Sequence, residues 1–362
     1  MTQTAIPFLF MRGGTSRGPY FNSSVLPRDR ETLSDVLVSV VGAGHPLNID
    51  GIGGGVAVTT KVAMLSPSAD SWADVDYFFA QVAVENREVD YKPTCGNILA
   101  GVGPAALEMG LVQPRDGVTP IRILSVNTGA RIEALVQTPG GQVVYEGSAR
   151  IDGVPGTAAP IQLKFIDTVG SVTGALLPTG AARERIQGVE VTCMDVAMPL
   201  MIARAADFGI TGYESREAID GDRALLERIE AVRLRAGELM GLGDVTRSVI
   251  PKVGLLAPPR AGGTVSARYL MPWNCHPSMA VTGAQCLAAC LLYPGTVAEG
   301  MVSPPEGTPA ALGIEHPLGE IVVTVDYARS PAAVEILSAG LLRTARLLAR
   351  GEVMVPFSVW SG

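Results

Sequence analysis

Two stretches of this chain are built almost wholly of small and apolar residues: Ile98 to Gly110 and Met279 to Leu292. Each follows a short polar segment that holds a cysteine. Pro93-Thr94-Cys95-Gly96-Asn97 precedes the first, and Pro272-Trp273-Asn274-Cys275-His276-Pro277-Ser278 precedes the second. A helix that is apolar on every face has to be buried. The longer run is broken by Thr282, Gly283 and Gln285 and is short of the ~20 residues that cross a bilayer. The expected fold is therefore an internal echo, with one buried helix per half, each wrapped by strands and each bearing a cysteine at its N-terminus. If the halves face one another, both N-termini point into one cleft suited to carboxylates.

The rest of the pattern supplies the wrapping. Forty-two glycines and 26 prolines are spread along the chain, which implies many short elements and tight turns. Ile6 to Met11 reads as a strand leading into a glycine-rich turn, Arg12 to Gly18. After Pro27, Leu33, Val36, Leu37, Val40 and Val41 recur at helical spacing and stop at Gly42. Val56 to Leu65 reads as a strand, paired with one on which Val75, Tyr77 and Phe79 alternate. Further strands are expected at 121–126, 132–136, 143–148 and 189–194, and an amphipathic surface helix at 222–240. Proline and glycine gather between 150 and 185. The expected domains are thus 1–184 and 185–362, with the last strand free to return to the first domain.

With 28 basic and 35 acidic residues, net charge −7 and no basic block, neither nucleic acid nor an anionic membrane is an expected partner. Five cysteines, an odd number in 362 residues, do not make a disulfide framework. Met1 to Phe10 lacks the charged start and apolar core of a secretory signal. A reducing cytoplasmic location is expected.

Cys95 opens its apolar run, where unpaired backbone N–H groups and the helix dipole favour thiolate. The bland alternative is a small buried hydrophobe; the following Gly96 and Asn97, suited to close approach by a ligand, argue for function. Lys61 is the only charge in its strand-like run, and desolvation lowers a lysine from ~10.4 towards the range of a general base. Alone it reads as a solvent-facing residue of a hairpin, but beside Cys95 it reads as half of an acid/base pair. The Thr15-Ser16-Arg17 turn offers hydroxyls and a guanidinium for a carboxylate. Asp50-Gly51-Ile52-Gly53-Gly54-Gly55 lines a cleft or only turns the chain; it lacks the phosphate-loop spacing. Gly101-Val102-Gly103-Pro104-Ala105-Ala106 mimics a dinucleotide fingerprint but lies inside the apolar run with no strand before it. In the second half Arg268, His276 and Ser278 are candidates for an anion, with helix capping the alternative for the last two. Three histidines and no zinc spacing speak against a metal site. Gly-x-Ser-x-Gly and His-Glu-x-x-His are both missing from the sequence.

These pieces together resemble the PrpF family: Met11-Arg12-Gly13-Gly14-Thr15-Ser16-Arg17-Gly18, Asp50-Gly51-Ile52-Gly53-Gly54, Lys61-Val62-Ala63, Cys95-Gly96-Asn97-Ile98 and Arg343-Thr344-Ala345-Arg346. Arg150 to Gly156 and Gly188 to Cys193 extend the resemblance, which covers essentially the whole chain. It implies an α/β (α+β), diaminopimelate-epimerase-like fold of two pseudo-symmetric domains, each a curled, mostly antiparallel sheet around a central helix. It also implies cofactor-free proton shifts on unsaturated di- and tricarboxylates, with Lys61 and Cys95 as acid and base and no metal. The substrate-binding set expected from the resemblance and the residues is Thr15, Ser16, Arg17, Gly53, Gly54, Thr60, Gly96, Asn97, Arg268, His276 and Ser278. A homodimer stays open. An amino-acid racemase would need Cys275 as a second opposed thiol, which Lys61 makes the weaker reading. A non-catalytic carboxylate-binding protein would have no use for a convergent Lys61 and Cys95.

Overall fold

A computed structural model describes residues 2–92, 94–303, 305–330 and 334–362. In chain order the first half holds β1 (Gln3–Gly13), β2 (Ser16–Asn22), α1 (Arg30–Val41), β3 (Lys61–Pro67), β4 (Val75–Val82), β5 (Val89–Asp90), α2 (Gly96–Leu99), α3 (Val102–Glu108), β6 (Gly117–Ser125), β7 (Arg131–Thr138) and β8 (Ile161–Ile166). Then come β9 (Glu184–Ile186), β10 (Val189–Asp195), β11 (Pro199–Arg204), α4 (Arg216–Gly221), α5 (Arg223–Leu239), β12 (Lys252–Ala257), β13 (Val265–Leu270) and α6 (Val281–Leu292). The chain ends with β14 (Ala310–His316), β15 (Gly319–Arg329), β16 (Val334–Arg343) and β17 (Ala345–Pro356).

The chain divides into two compact units, Met1–Lys164 with Leu342–Gly362, and Phe165–Leu341. Their sheets repeat one pattern. In the first unit β1/β2 is antiparallel, β2/β3 parallel, β3/β4 antiparallel, β4/β6 parallel and β6/β7 antiparallel. In the second the same alternation runs through β10/β11, β11/β12, β12/β13, β13/β14 and β14/β15. α1 fills the crossover between the second and third strands of the first unit, as α4 and α5 do in the other. The apolar runs form the next crossover in each. The short echo in the sequence is thus one part of a repeat of the whole topology.

Local chemistry explains the elements. Asp29 caps α1 by accepting from the Thr32 amide at 2.8 Å, and Gly42 stops the helix at φ 78°. The stripe Leu33, Val36, Leu37, Val40 and Val41 is buried against Phe21, Val62, Met64 and Ala80, each such side chain contributing about 1.5–3 kcal/mol. Asp222 caps α5 through the Leu225 amide at 3.0 Å, and Leu225, Ile229 and Val232 join the core of the second unit. The central helices bury all faces, as their composition requires.

Four expectations need correction. The division falls at 164/165, before the expected 184/185; the last strand, left free to return, does so, β17 pairing with β1 in the first unit. Residues 165–184 are no linker: the Asp195 carboxylate gathers Ser171 Oγ and the Val172 and Thr173 amides, each at 2.8 Å, onto the second unit. The strand expected at 56–65 begins only at Lys61, after a 3-10 turn over Ala57–Thr59. Residues 143–148 form no strand, and the loop beyond them is closed by a bridge between Ala149 and Ala158. The first apolar run is two helices, α2 and α3, parted at Ala100 and Gly101. A Cβ on Gly101 would collide with the Tyr20 hydroxyl, so glycine lets the helix settle on β2. No helix among the described residues is long and apolar enough to cross a membrane.

Candidate active site

Lys61 opens β3 in register with Gln81 of β4. Because side chains alternate along a strand, Tyr77, Phe79 and Gln81 share one face. Lys61 Nζ stands 5.3 Å from the centre of the Phe79 ring and donates to Gln81 Oε1 at 2.7 Å. Gln81 Nε2 donates to Thr60 Oγ1 at 3.0 Å and to the Ala57 carbonyl at 3.2 Å. Those acceptors fix the amide, so its oxygen has to face the lysine. Among the described residues no carboxylate pairs with Lys61. A side chain on Gly18 would strike the Lys61 carbonyl, so glycine lets β2 lie close to β3.

The same aromatic row leads to Cys95. The Tyr77 and Phe79 rings are 6.3 Å apart, and the Tyr77 hydroxyl donates to the Cys95 carbonyl at 3.4 Å. That carbonyl also accepts from the Leu99 amide at 2.8 Å, making Cys95 the cap residue of α2. Its side chain makes no capping bond and is half-buried. Tyr20 and Tyr77 are fully buried phenols near this thiol. Burial raises both of their pKa values, and the neighbouring Cys95 charge raises them further. Pro93, ahead of this motif, lies outside the described residues.

Arg12 to Gly18 is less a turn than a hairpin. β1 and β2 are joined by Gly14 and Thr15 alone, with positive φ at Gly14 (51°) and not at Thr15, the pattern that a II′ turn asks of glycine. The hairpin tip rests on α2: Asn97 Oδ1 accepts from the Thr15 amide at 3.3 Å, and a Cβ on Gly14 would strike that same oxygen. Ser16 is 3 % exposed and its hydroxyl has no partner. An unpaired buried hydroxyl costs about 1–3 kcal/mol, and among the described residues nothing offsets that cost at Ser16. Arg17 is exposed, 5.5 Å above the Phe10 ring and packed against Gly54. Gly53 lies against Asn48 and the Val41 carbonyl. Both glycines let the loop close on α1 and on Arg17. Thr60 is fully buried and donates to the Val82 carbonyl at 2.7 Å, which turns its hydroxyl into the sheet.

In the second unit the candidates are more enclosed. α6 starts at Val281 with Ala280 as its cap, so neither Cys275, His276 nor Ser278 stands at its first turn, as had been expected. Cys275 instead bridges back to Leu270, donates its amide to Asp220 Oδ1 at 2.6 Å and is 0 % exposed. Burial, and then Asp220, push its thiol up to about 11. His276 Nδ1 accepts from the Ser278 amide at 3.0 Å, and burial lowers the ring's pKa. Arg268 is buried, its guanidinium donating to the Glu214 and Ala267 carbonyls at 2.7 and 3.0 Å. Those bonds hold it within its own unit.

Gln81, Tyr20 and Tyr77 were missed as site residues. The alternation that marked Val75, Tyr77 and Phe79 runs on to Gln81, so the partner of Lys61 was within reach of a register argument. Tyr20 was not, because its place above α2 depends on the parallel pairing of β2 and β3.

Known proteins resemble this chain over its whole length. Residues 3–356 match the PrpF protein family. The chain is 48% identical to 4-oxalomesaconate tautomerase of Pseudomonas putida over 362 residues, covering 100% of this chain and 99% of that one. It is also 48% identical to (4E)-oxalomesaconate Delta-isomerase of Novosphingobium sp. over 351 residues, covering 96% and 97%. The crystal structure of methylitaconate-delta-isomerase superposes with a TM-score of 0.89 at 32% identity, covering 100% of this chain and 98% of that one. The chain belongs to the PrpF family of isomerases and has the diaminopimelate-epimerase-like fold.

Proposed function

We propose that the chain tautomerises 4-oxalomesaconate from its keto to its enol form, a step in the breakdown of gallate and protocatechuate. Two full-length relatives at 48% identity, both named for oxalomesaconate, support the substrate. One observation carries the chemistry: Lys61 and Cys95 lie at the two ends of the Gln81–Phe79–Tyr77 row. Lys61 takes a proton from the carbon flanked by ketone and alkene, and the C–H electrons move into an enolate. The Cys95 thiol gives its proton to the enolate oxygen, and the thiolate regains one from the lysine side through solvent. Nothing is gained or lost overall. The Ser16 hydroxyl and the donors around Gly96 and Asn97 hold a carboxylate and steady the developing charge. Five free thiols accord with a reducing, cytosolic setting.

A second reading differs only in where the proton lands. The name of the Novosphingobium relative favours an allylic shift, in which Cys95 returns the proton to the far carbon. Incubation with oxalomesaconate in D₂O, followed by NMR, separates the two. Deuterium exchanged only at the methylene position, with accumulation of enol, supports tautomerisation. Deuterium at the remote carbon supports the allylic shift. No exchange with any unsaturated tricarboxylate sinks both.

A further inference from the structure

Three of the family stretches leave residues outside the Lys61–Cys95 row: Arg12, the segment from Arg150 to Gly156, and Arg343 to Arg346. Arg12, Ile151, Val154 to Gly156, Thr344 and Arg346 meet at one cavity of about 200 Å³, formed wholly within the first unit. Arg12 on β1 stands directly opposite Arg346 on β17 and, on its other side, opposite Arg17 on β2. Like charges facing across strands are destabilising. Here the first two also share a cavity whose lining holds no Asp or Glu.

The donors in this cavity are only partly used. Arg12 Nη1 donates to the Gly14 carbonyl at 2.9 Å and to the carbonyl and hydroxyl of Thr344 at 3.1 and 3.0 Å. Among the described residues its Nε and Nη2 reach no acceptor, Arg346 donates to none, and neither guanidinium has an ion-pair partner. The opposite wall is the 149–158 loop, closed at its base by the Ala149–Ala158 bridge and set beside the hairpin tip, where a Cβ on Gly153 would stand 3.1 Å from Thr15. A pair of unmatched guanidinium forks in a walled recess suits a planar or tetrahedral oxyanion, since each fork binds such a group bidentately.

The geometry points to a second oxyanion site here, taking a carboxylate or phosphate group and bracing the Gly14–Thr15 turn through Arg12. It does not depend on the reaction proposed above. The test is calorimetric titration of the full chain with inorganic phosphate and with malonate at fixed ionic strength. Wild type should bind at least one of them saturably. Arg346→Gln should weaken that binding about tenfold through loss of a charge-assisted contact, and Thr157→Trp, from the exposed loop wall, should abolish it by filling the cavity. Lys61→Ala should leave it unchanged. Preference for malonate identifies a carboxylate ligand, and preference for phosphate a phosphate. The site is ruled out if neither probe gives saturable heat, if Arg346→Gln binds like wild type, or if Lys61→Ala removes the binding.

Discussion

Each unit opens its third strand with a lysine, Lys61 in β3 and Lys252 in β12, and sets a cysteine before its central helix, Cys95 and Cys275. The surroundings of the two pairs have diverged. Lys61 is aimed along an aromatic face by a fixed glutamine, and the Cys95 thiol is half-buried with no hydrogen bond among the described residues. Lys252 Nζ reaches back to the Met271 carbonyl at 3.4 Å, while burial and nearby Arg233 lower its pKa. Cys275 is sealed beneath its bridge to Leu270. Repetition of a fold carries residue types to equivalent places; whether they can meet a substrate depends on what packs over them.

The sharpest break of this comparison is catalytic. Lys61→Ala or Cys95→Ala should lower kcat by about 10²–10⁴, the usual range for loss of a positioned acid or base. Cys275→Ala should keep kcat near wild type. Turnover rates measured side by side decide it, and an inactive Cys275→Ala that is still folded by circular dichroism would move the chemistry into the second unit.

Next in size is a test of the repeat itself. Gly101 lies under the Tyr20 hydroxyl and Gly283 under the Tyr269 ring, so a methyl group at either place collides with an aromatic side chain. Gly101→Ala and Gly283→Ala should each destabilise the protein by about 1–3 kcal/mol through overpacking, offset only at Gly283, inside α6, by a few tenths to 1 kcal/mol of regained helix propensity. Chemical denaturation reads both. A neutral result at one position would show that the two central helices are not seated by the same device.

How far the sequence reached follows the same divide. The buried central helices and the α1 stripe were legible because period and composition report burial directly. The burial of Thr60 was not legible, because its neighbourhood is made by Val82 and Gln81, more than twenty positions away in the chain. Cys275 was misjudged because an apolar run does not mark where its first turn closes; the chain bridges back to Leu270 before α6 begins. The division falls earlier than the proline and glycine pattern suggests because those residues signal turns, and it takes Asp195, the Val169–Val196 bridge and Thr192 to fasten those turns to the second unit.

A smaller effect concerns the aim of Lys61. Gln81→Leu keeps much of the volume but removes the acceptor at 2.7 Å and leaves Thr60 Oγ1 without its donor. Freed from that bond, the amine samples other rotamers, and kcat should fall about tenfold, a loss of roughly 1.4 kcal/mol, within the range of one hydrogen bond. KM should change little, and Gln81→Glu should shift the pH profile by placing a charge at the lysine. An unchanged kcat in Gln81→Leu would mean that Phe79 and the backbone of β3 suffice to position it.

The smallest expected effect is on stability in alkali, and it isolates the sealed thiol. Cys275 is pushed from 9.0 up to about 11 in the fold. Below pH 9 the thiol is neutral in both states and its burial costs nothing in charge. Above that, the unfolded chain releases the proton first, so the unfolded state gains and stability falls with rising pH until the folded thiol also ionises near 11. Cys193 and Cys290, both raised to about 12, add slopes of the same sign. The informative quantity is therefore the difference between wild type and Cys275→Ala. Urea unfolding at about pH 8 and about pH 10.5 should show wild type losing more stability across that interval than the variant does. Equal losses would mean that the Cys275 thiol is as open to ionisation as one in water, and the contrast between the two cysteines would vanish with it.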